Sequence, residues 1–156
     1  MSQGQGDERF AAVVAVLQTY FDGLHHSDTG RLRQVFHPRA HYVTATEGAT
    51  DGTGKGPGPL QLTMEEYFPI VAARPSPASR GEARHDRIVS LEFAGPVTAF
   101  ARVECAIGPK FFTDFLTLIF VDGRWQIIAK VFHYDLREEG VKPPHPASPK
   151  LALRAR

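Results

Sequence analysis

Cysteine occurs once in the 156 residues, at Cys105, so no internal disulfide can form. A chain without disulfides suits a reducing compartment, and a cytoplasmic location is expected. No apolar run approaches the roughly 20 residues that cross a bilayer as a helix. The first eight residues hold neither the basic nor the apolar segment of a secretory signal. A charge excess is also missing. Eighteen basic against seventeen acidic residues leave +1, so neither nucleic acid nor an anionic membrane is expected as a partner. The chain has no dinucleotide fingerprint, no flavin motif, no haem attachment site and no internal repeat, and no cofactor is expected. The seven histidines do not add up to a metal site. His25 and His26 are adjacent and point different ways, and Pro38 interrupts any helix joining His37 to His41. No His-Glu-x-x-His or zinc-finger spacing occurs. The run Gly52-Thr53-Gly54-Lys55-Gly56-Pro57-Gly58 lacks phosphate-loop spacing and reads as a loop.

What is present suits one globular domain, with 42% hydrophobic and 10% aromatic residues. The domain is expected over residues 8–136, between a flexible N-terminus (1–7) and a proline-rich, basic tail (137–156). Phe10, Val13, Val14, Leu17, Phe21 and Leu24 recur at helical spacing, and Gly23 is expected to fray the end of that helix. Ser27-Asp28 offers an N-cap to a short second helix carrying Leu32, Val35 and Phe36, which Pro38 stops. His41 to Thr44 reads as a first strand, and residues 47–59 as a long turn. Thr63 and Glu66 form a capping box for a third helix, in which Pro69 predicts a kink or an early end. Four strands follow: Asp86 to Phe93, Val97 to Cys105, Phe112 to Val121 and Trp125 to His133. Ile107-Gly108-Pro109-Lys110 and Asp122-Gly123 are the turns between them. Helices first and hairpin-linked strands later predict an α+β fold, with N-terminal helices on a strongly curved antiparallel sheet and a cone-shaped cavity between the layers.

The candidates for chemistry follow from this pattern. Asp114 shares a strand face with Phe112, Leu116, Leu118 and Phe120. If that face is the core face, burial raises its pKa and makes it an acid or base near neutral pH. Otherwise Asp114 pairs near the strand end with Arg102 or Lys110. Tyr20, Tyr42 and Tyr67 come from three elements that would meet at the cavity, as hydroxyl donors to an oxyanion or as buried structural tyrosines. Alternation places His133 on the face of Trp125, Ile127 and Val131, where it either shuttles protons or is a core histidine with a partner. Cys105 alternates with Val103 and Ala101 and reads as a small buried apolar residue.

An ordered set of segments carries a resemblance. These are Tyr20-Phe21-Asp22-Gly23-Leu24-His25, Leu32 with Phe36-His37-Pro38, Arg74-Pro75-Ser76-Pro77, Asp86-Arg87-Ile88, Phe112-Thr113-Asp114, Asp122 to Ile127 and Lys130-Val131-Phe132. From Phe10 to Tyr134 the chain resembles the nuclear-transport-factor-2-like superfamily, and within it the bacterial putative lumazine-binding, SnoaL-like proteins. The resemblance implies a cone-shaped α+β barrel. It also implies a trade among isomerases, dehydratases, cyclases, epoxide hydrolases and non-enzymatic adaptors, because one scaffold carries them all. Tyr20 falls where the ketosteroid isomerases place a tyrosine supporting the oxyanion hole. Their catalytic aspartate falls near Thr44, which cannot serve as a carboxylate base. The residue pattern supplies Asp114 with His133 or Tyr42 as a different acid–base set, which no motif of the family fixes, and with Tyr20 from the resemblance the catalytic candidates are Asp114, His133 and Tyr20. The implied substrate wall is Phe36, Tyr42, Thr44, Tyr67, Phe68, Phe112 and Trp125. A cofactor-independent isomerase, dehydratase or cyclase acting on a small apolar or aromatic molecule is the first reading, a non-catalytic binder of a small heterocycle the second, and a structural or protein-interaction domain, its pocket filled by its own side chains, the third. Relatives that pair through the outer sheet face imply a homodimer, with Thr113, Phe115, Thr117 and Ile119 on that face.

Overall fold

In a computed structural model, which describes residues 3–46 and 59–137, apolar side chains at helical spacing turn α1 (Gln3–His26) toward a sheet. Val13, Leu17, Tyr20, Phe21 and Leu24 are buried, and Phe10 stays half exposed. The helix begins at Gln3, so residues 3–7 of the segment expected to be flexible are helical. It also does not fray at Gly23. That residue is buried where α2 (Thr29–Val35) comes closest, and a Cβ there would stand 2.6 Å from Leu32 Cδ2. Asp28 caps α2, accepting from the Arg31 N–H. The helix stops at Val35, ahead of Pro38.

The chain turns directly into β1 (Phe36–Thr44), which is longer than expected and runs through Pro38. The proline is tolerated because the register with the neighbouring strand shifts between Phe36 and His41, and because pairing on the other side begins only at His41. After the undescribed residues 47–58, where the Gly-rich loop was expected, Leu60–Thr63 forms a short β2 that the sequence pattern does not announce. The predicted capping box of Thr63 and Glu66 opens α3 (Met64–Ala73). Pro69 does not end it. Burial of Met64, Tyr67, Phe68 and Val71, one face at i, i+3, i+4 and i+7, outweighs the proline's cost of about 3 kcal/mol. A 3-10 turn (Ala78–Arg80) leads to β3 (Arg87–Phe93), β4 (Thr98–Ile107), β5 (Lys110–Val121) and β6 (Arg124–Leu136). Asp122 (φ 56°) and Gly123 (φ 79°) make the predicted tight turn, with both central residues left-handed.

The six strands form one sheet in the order β2-β1-β6-β5-β4-β3. All neighbours are antiparallel except β1 and β6, which run parallel. The sheet is strongly curved but not closed, with β2 and β3 at its edges. Register shifts in β1, β3 and β6 supply bends of the kind that curve a sheet. The helices pack on its concave side, α1 against β4 and β6 and α3 against β1. The core lies between, from Val13 and Leu17 to Leu116 and Ile127.

Candidate functional site

Two predicted residues meet in the middle of that core. Tyr20 reaches in from α1, and Asp114 from the concave face of β5, where Val103 and Phe132 flank it. Neither is exposed to solvent at all. The Tyr20 hydroxyl donates to Asp114 Oδ2 at 2.5 Å. Burial pushes the Asp114 carboxyl above the usual carboxylate range, against the opposing pull of Lys130 and of the Tyr20 hydrogen bond. Burial, followed by the charge of Asp114, pushes the Tyr20 phenol well up, so it stays a neutral donor. The second carboxylate oxygen, Oδ1, is buried and has no hydrogen-bond partner.

The third member is Lys130, which sequence patterning missed. It is 3% exposed, with Nζ 4.0 Å from Asp114 Oδ2 and 3.5 Å from the Tyr67 hydroxyl. The rings of Tyr20, Tyr42, Tyr67, Phe112 and Phe132 surround the ammonium at 5.1–5.8 Å. Burial works against the charge, but the phenol oxygens and Asp114 outweigh it, and the pKa lies above the ordinary lysine value. Lys130 is therefore a cation at neutral pH.

Lys130 forms part of the wall of a cavity of about 10 Å³. Tyr42, Tyr67, Arg74, Cys105 and Phe112 line it as well. That is room for about one water molecule, so the hollow expected between the layers is nearly filled by side chains. The polar residues of the lining, Lys130, Arg74, Tyr42, Tyr67 and Cys105, all carry groups that can donate a hydrogen bond. Burial and the charge of Asp114 push the Cys105 thiol well up, which keeps it protonated. Asp114 is not in the lining and reaches the cavity through Lys130. Such a space suits one oxygen atom carrying, or developing, negative charge. Among the described residues, no three His, Cys, Asp or Glu side chains come together as metal ligands would.

The other predicted site residues fall in different places. His133 lies on the outer face, its side chain 61% exposed, against Asp135 and Thr46. The register of β5 on β6 skips Ile128, since Thr117 faces Ala129 while Leu118 faces Ile127. That bulge reverses the alternation, turning Lys130 and Phe132 inward and Val131 and His133 outward. Asp114 does not pair with Arg102, which sits over Phe115, or with Lys110, which sits over Tyr134. Thr44 is buried, but its hydroxyl donates to the Phe132 carbonyl and accepts from the Thr46 N–H. Phe36 and Phe68 pack behind Tyr67. Trp125 lies at the far end of the sheet with Phe93 and Phe120. Tyr42, Tyr67 and Phe112 do line the cavity.

Comparison with known proteins agrees with this architecture. Residues 8–133 match the family model described as "Putative lumazine-binding". The aldolase FrzH of Cladobotryum sp. is 27% identical over 126 residues, covering 80% of this chain and 90% of its own. An NTF-2 like protein of unknown function from Silicibacter pomeroyi superposes with a TM-score of 0.69 at 22% identity, covering 86% of this chain and all of its own. A putative scytalone dehydratase from Novosphingobium aromaticivorans gives 0.62 at 13% identity, over 91% of this chain and all of its own. The family match across most of the sequence makes this chain a member of the putative lumazine-binding family, and its helices on a curved open sheet share the fold of NTF2-like proteins.

Proposed function

We propose that this chain is a cofactor-independent enzyme that moves a proton beside the carbonyl group of a small apolar or aromatic molecule. The observation that carries this reading is the buried Lys130 ammonium, held at the cavity wall between Asp114 and a cage of aromatic rings. A carbonyl oxygen entering the cavity meets Lys130 and the hydroxyls of Tyr42 and Tyr67. Negative charge developing there is stabilised by donors that are already in place. Of the groups in or beside the cavity, the Asp114 carboxylate is the base. The thiol keeps its proton, while Asp114 has a buried oxygen with no partner. Asp114 lies behind Lys130, so the substrate must reach past the ammonium for its C–H bond to break toward the carboxylate; the electron pair then moves onto the carbonyl oxygen as an enolate. Returning the proton to another carbon is isomerisation, expelling a β-hydroxyl is dehydration, and attack on a second carbonyl is aldol addition. The aldolase name of the Cladobotryum relative belongs to this enolate chemistry.

The test is hydrogen–deuterium exchange in D₂O, followed by NMR, on a panel of small aryl ketones and oxo acids. Asp114→Asn is expected to lower enzyme-catalysed exchange by about 100-fold or more. The rate should rise with pH as Asp114 ionises, with a midpoint above the ordinary carboxylate value of about 3.9. Lys130→Met should move that midpoint to higher pH, because it removes the charge that favours the ionised form. Wild-type exchange rates in Asp114→Asn would rule Asp114 out as the base.

A cavity nearly filled by side chains favours a structural or protein-interaction domain, and a binding protein without turnover is a further reading. Compounds that raise the melting temperature yet exchange no protons would select it. We also propose that a second copy of the chain covers the outer sheet face. Phe100, Phe115 and Val131 are exposed there on adjacent strands, with the two phenylalanine rings 5.5 Å apart.

A further inference from the structure

We propose that Arg74 is a carboxylate anchor and that the molecule taken by this site is an oxo acid. Its carbonyl oxygen would lie at Lys130 and its carboxylate at the guanidinium. This names the substrate class for the proton-transfer reading above and rests on it. Arg74 caps the C-terminus of α3, its backbone extended (φ −94°, ψ 146°) and its N–H bonded to the Val71 carbonyl. Pro75 favours that extended conformation in the residue before it. The backbone so held sends the side chain to the cavity that Lys130 also lines.

Two further observations point to a ligand. Arg74 Nε is buried without a hydrogen-bond partner, as are the Nε atoms of Arg87, Arg102 and Arg137, but of these four only Arg74 lines the cavity. Arg31, Arg80, Arg84 and Arg87 each sit against a carboxylate, whereas Arg74 has none among the described residues. Asp114, the carboxylate beside Lys130, is engaged by Lys130 and Tyr20 and does not pair with Arg74. Lys130 is deep and Arg74 partly exposed, so the carbonyl oxygen enters first and the carboxylate stays at the mouth. A guanidinium presents two parallel N–H groups, which match the edge of a planar carboxylate.

The experiment uses the full chain with phenylpyruvate, its methyl ester and benzyl methyl ketone as probes. Dissociation constants come from calorimetry, and exchange of the benzylic protons from NMR. Wild type is expected to bind the acid at least tenfold more tightly than the ester or the ketone. In Arg74→Gln that ratio should fall to about one, and Arg74→Lys, which keeps a point charge, should recover part of it. Equal preference for the acid in wild type and Arg74→Gln, or no preference in wild type, overturns the anchor. The two readings fail separately. Acid preference that depends on Arg74, without proton exchange, removes the proton-transfer reading and leaves the anchor. Exchange on the ketone without acid preference does the reverse. Failure of all three probes to bind overturns the oxo-acid assignment.

Discussion

A carboxylate and an ammonium with almost no access to water are each costly to bury, and each is tolerated because of the other. Asp114 and Lys130 stand 4.0 Å apart, Tyr20 holds one carboxylate oxygen, and aromatic faces close the shell. Removing one partner strands the other. Lys130→Met or Asp114→Asn should therefore each destabilise the fold by about 3–5 kcal/mol, while the double substitution should cost less than the sum of the two. Urea denaturation of the four proteins measures this coupling, and strictly additive losses would show that the pair does not interact. The Lys130→Met protein is the more informative single variant. It keeps an apolar stem of similar length within the rings, so its loss reports the charge and not the packing.

The elements show why some of this was readable from the sequence and some was not. Asp114 and Tyr20 could be found because β5 alternates cleanly and α1 keeps its helical period, so each residue's face follows from its neighbours. Lys130 could not, because the bulge at Ile128 changes the phase of β6 midway. Counting by twos from Trp125 lands on Val131 and His133, one residue out of step. A long polar side chain in a strand otherwise rich in Ile, Ala, Val and Phe was the one available signal. β2 was invisible because four residues are too few to establish a period, and β1 looked short because Pro38 reads as a breaker. Arg74 looked like part of a rigid connector, since its role depends on where the end of α3 meets the sheet. Gly23 makes the same point for the helices. Alanine there would gain up to about 1 kcal/mol of helix propensity but would meet Leu32 at 2.6 Å, and forcing α2 aside costs about 1–3 kcal/mol. Gly23→Ala should therefore lower stability by about 1 kcal/mol. A melting temperature at or above wild type would mean that α2 gives way freely.

At the scale of the whole molecule, the convex side of the sheet differs from an ordinary wet surface. Phe100, Phe115 and Val131 stand exposed, with the Arg102 guanidinium over the Phe115 ring. If a second copy lies there, Phe115→Lys should leave the fold intact and halve the mass seen by analytical ultracentrifugation at micromolar concentration. A wild-type chain that sediments as a monomer under those conditions would reject the pairing. The parallel contact between β1 and β6 has a different reach. It joins the earliest strand to the last, and Thr44 meets Phe132 across 88 positions. Closing so long a loop is entropically expensive and returns nothing until the final strand is in place. On a ribosome, β1 would wait for nearly all the remaining domain to emerge, with its inner edge unmatched and open to other chains. The bond network that makes the interior rigid thus makes assembly late and all at once, and a truncation before β6 should yield aggregate, not half a domain.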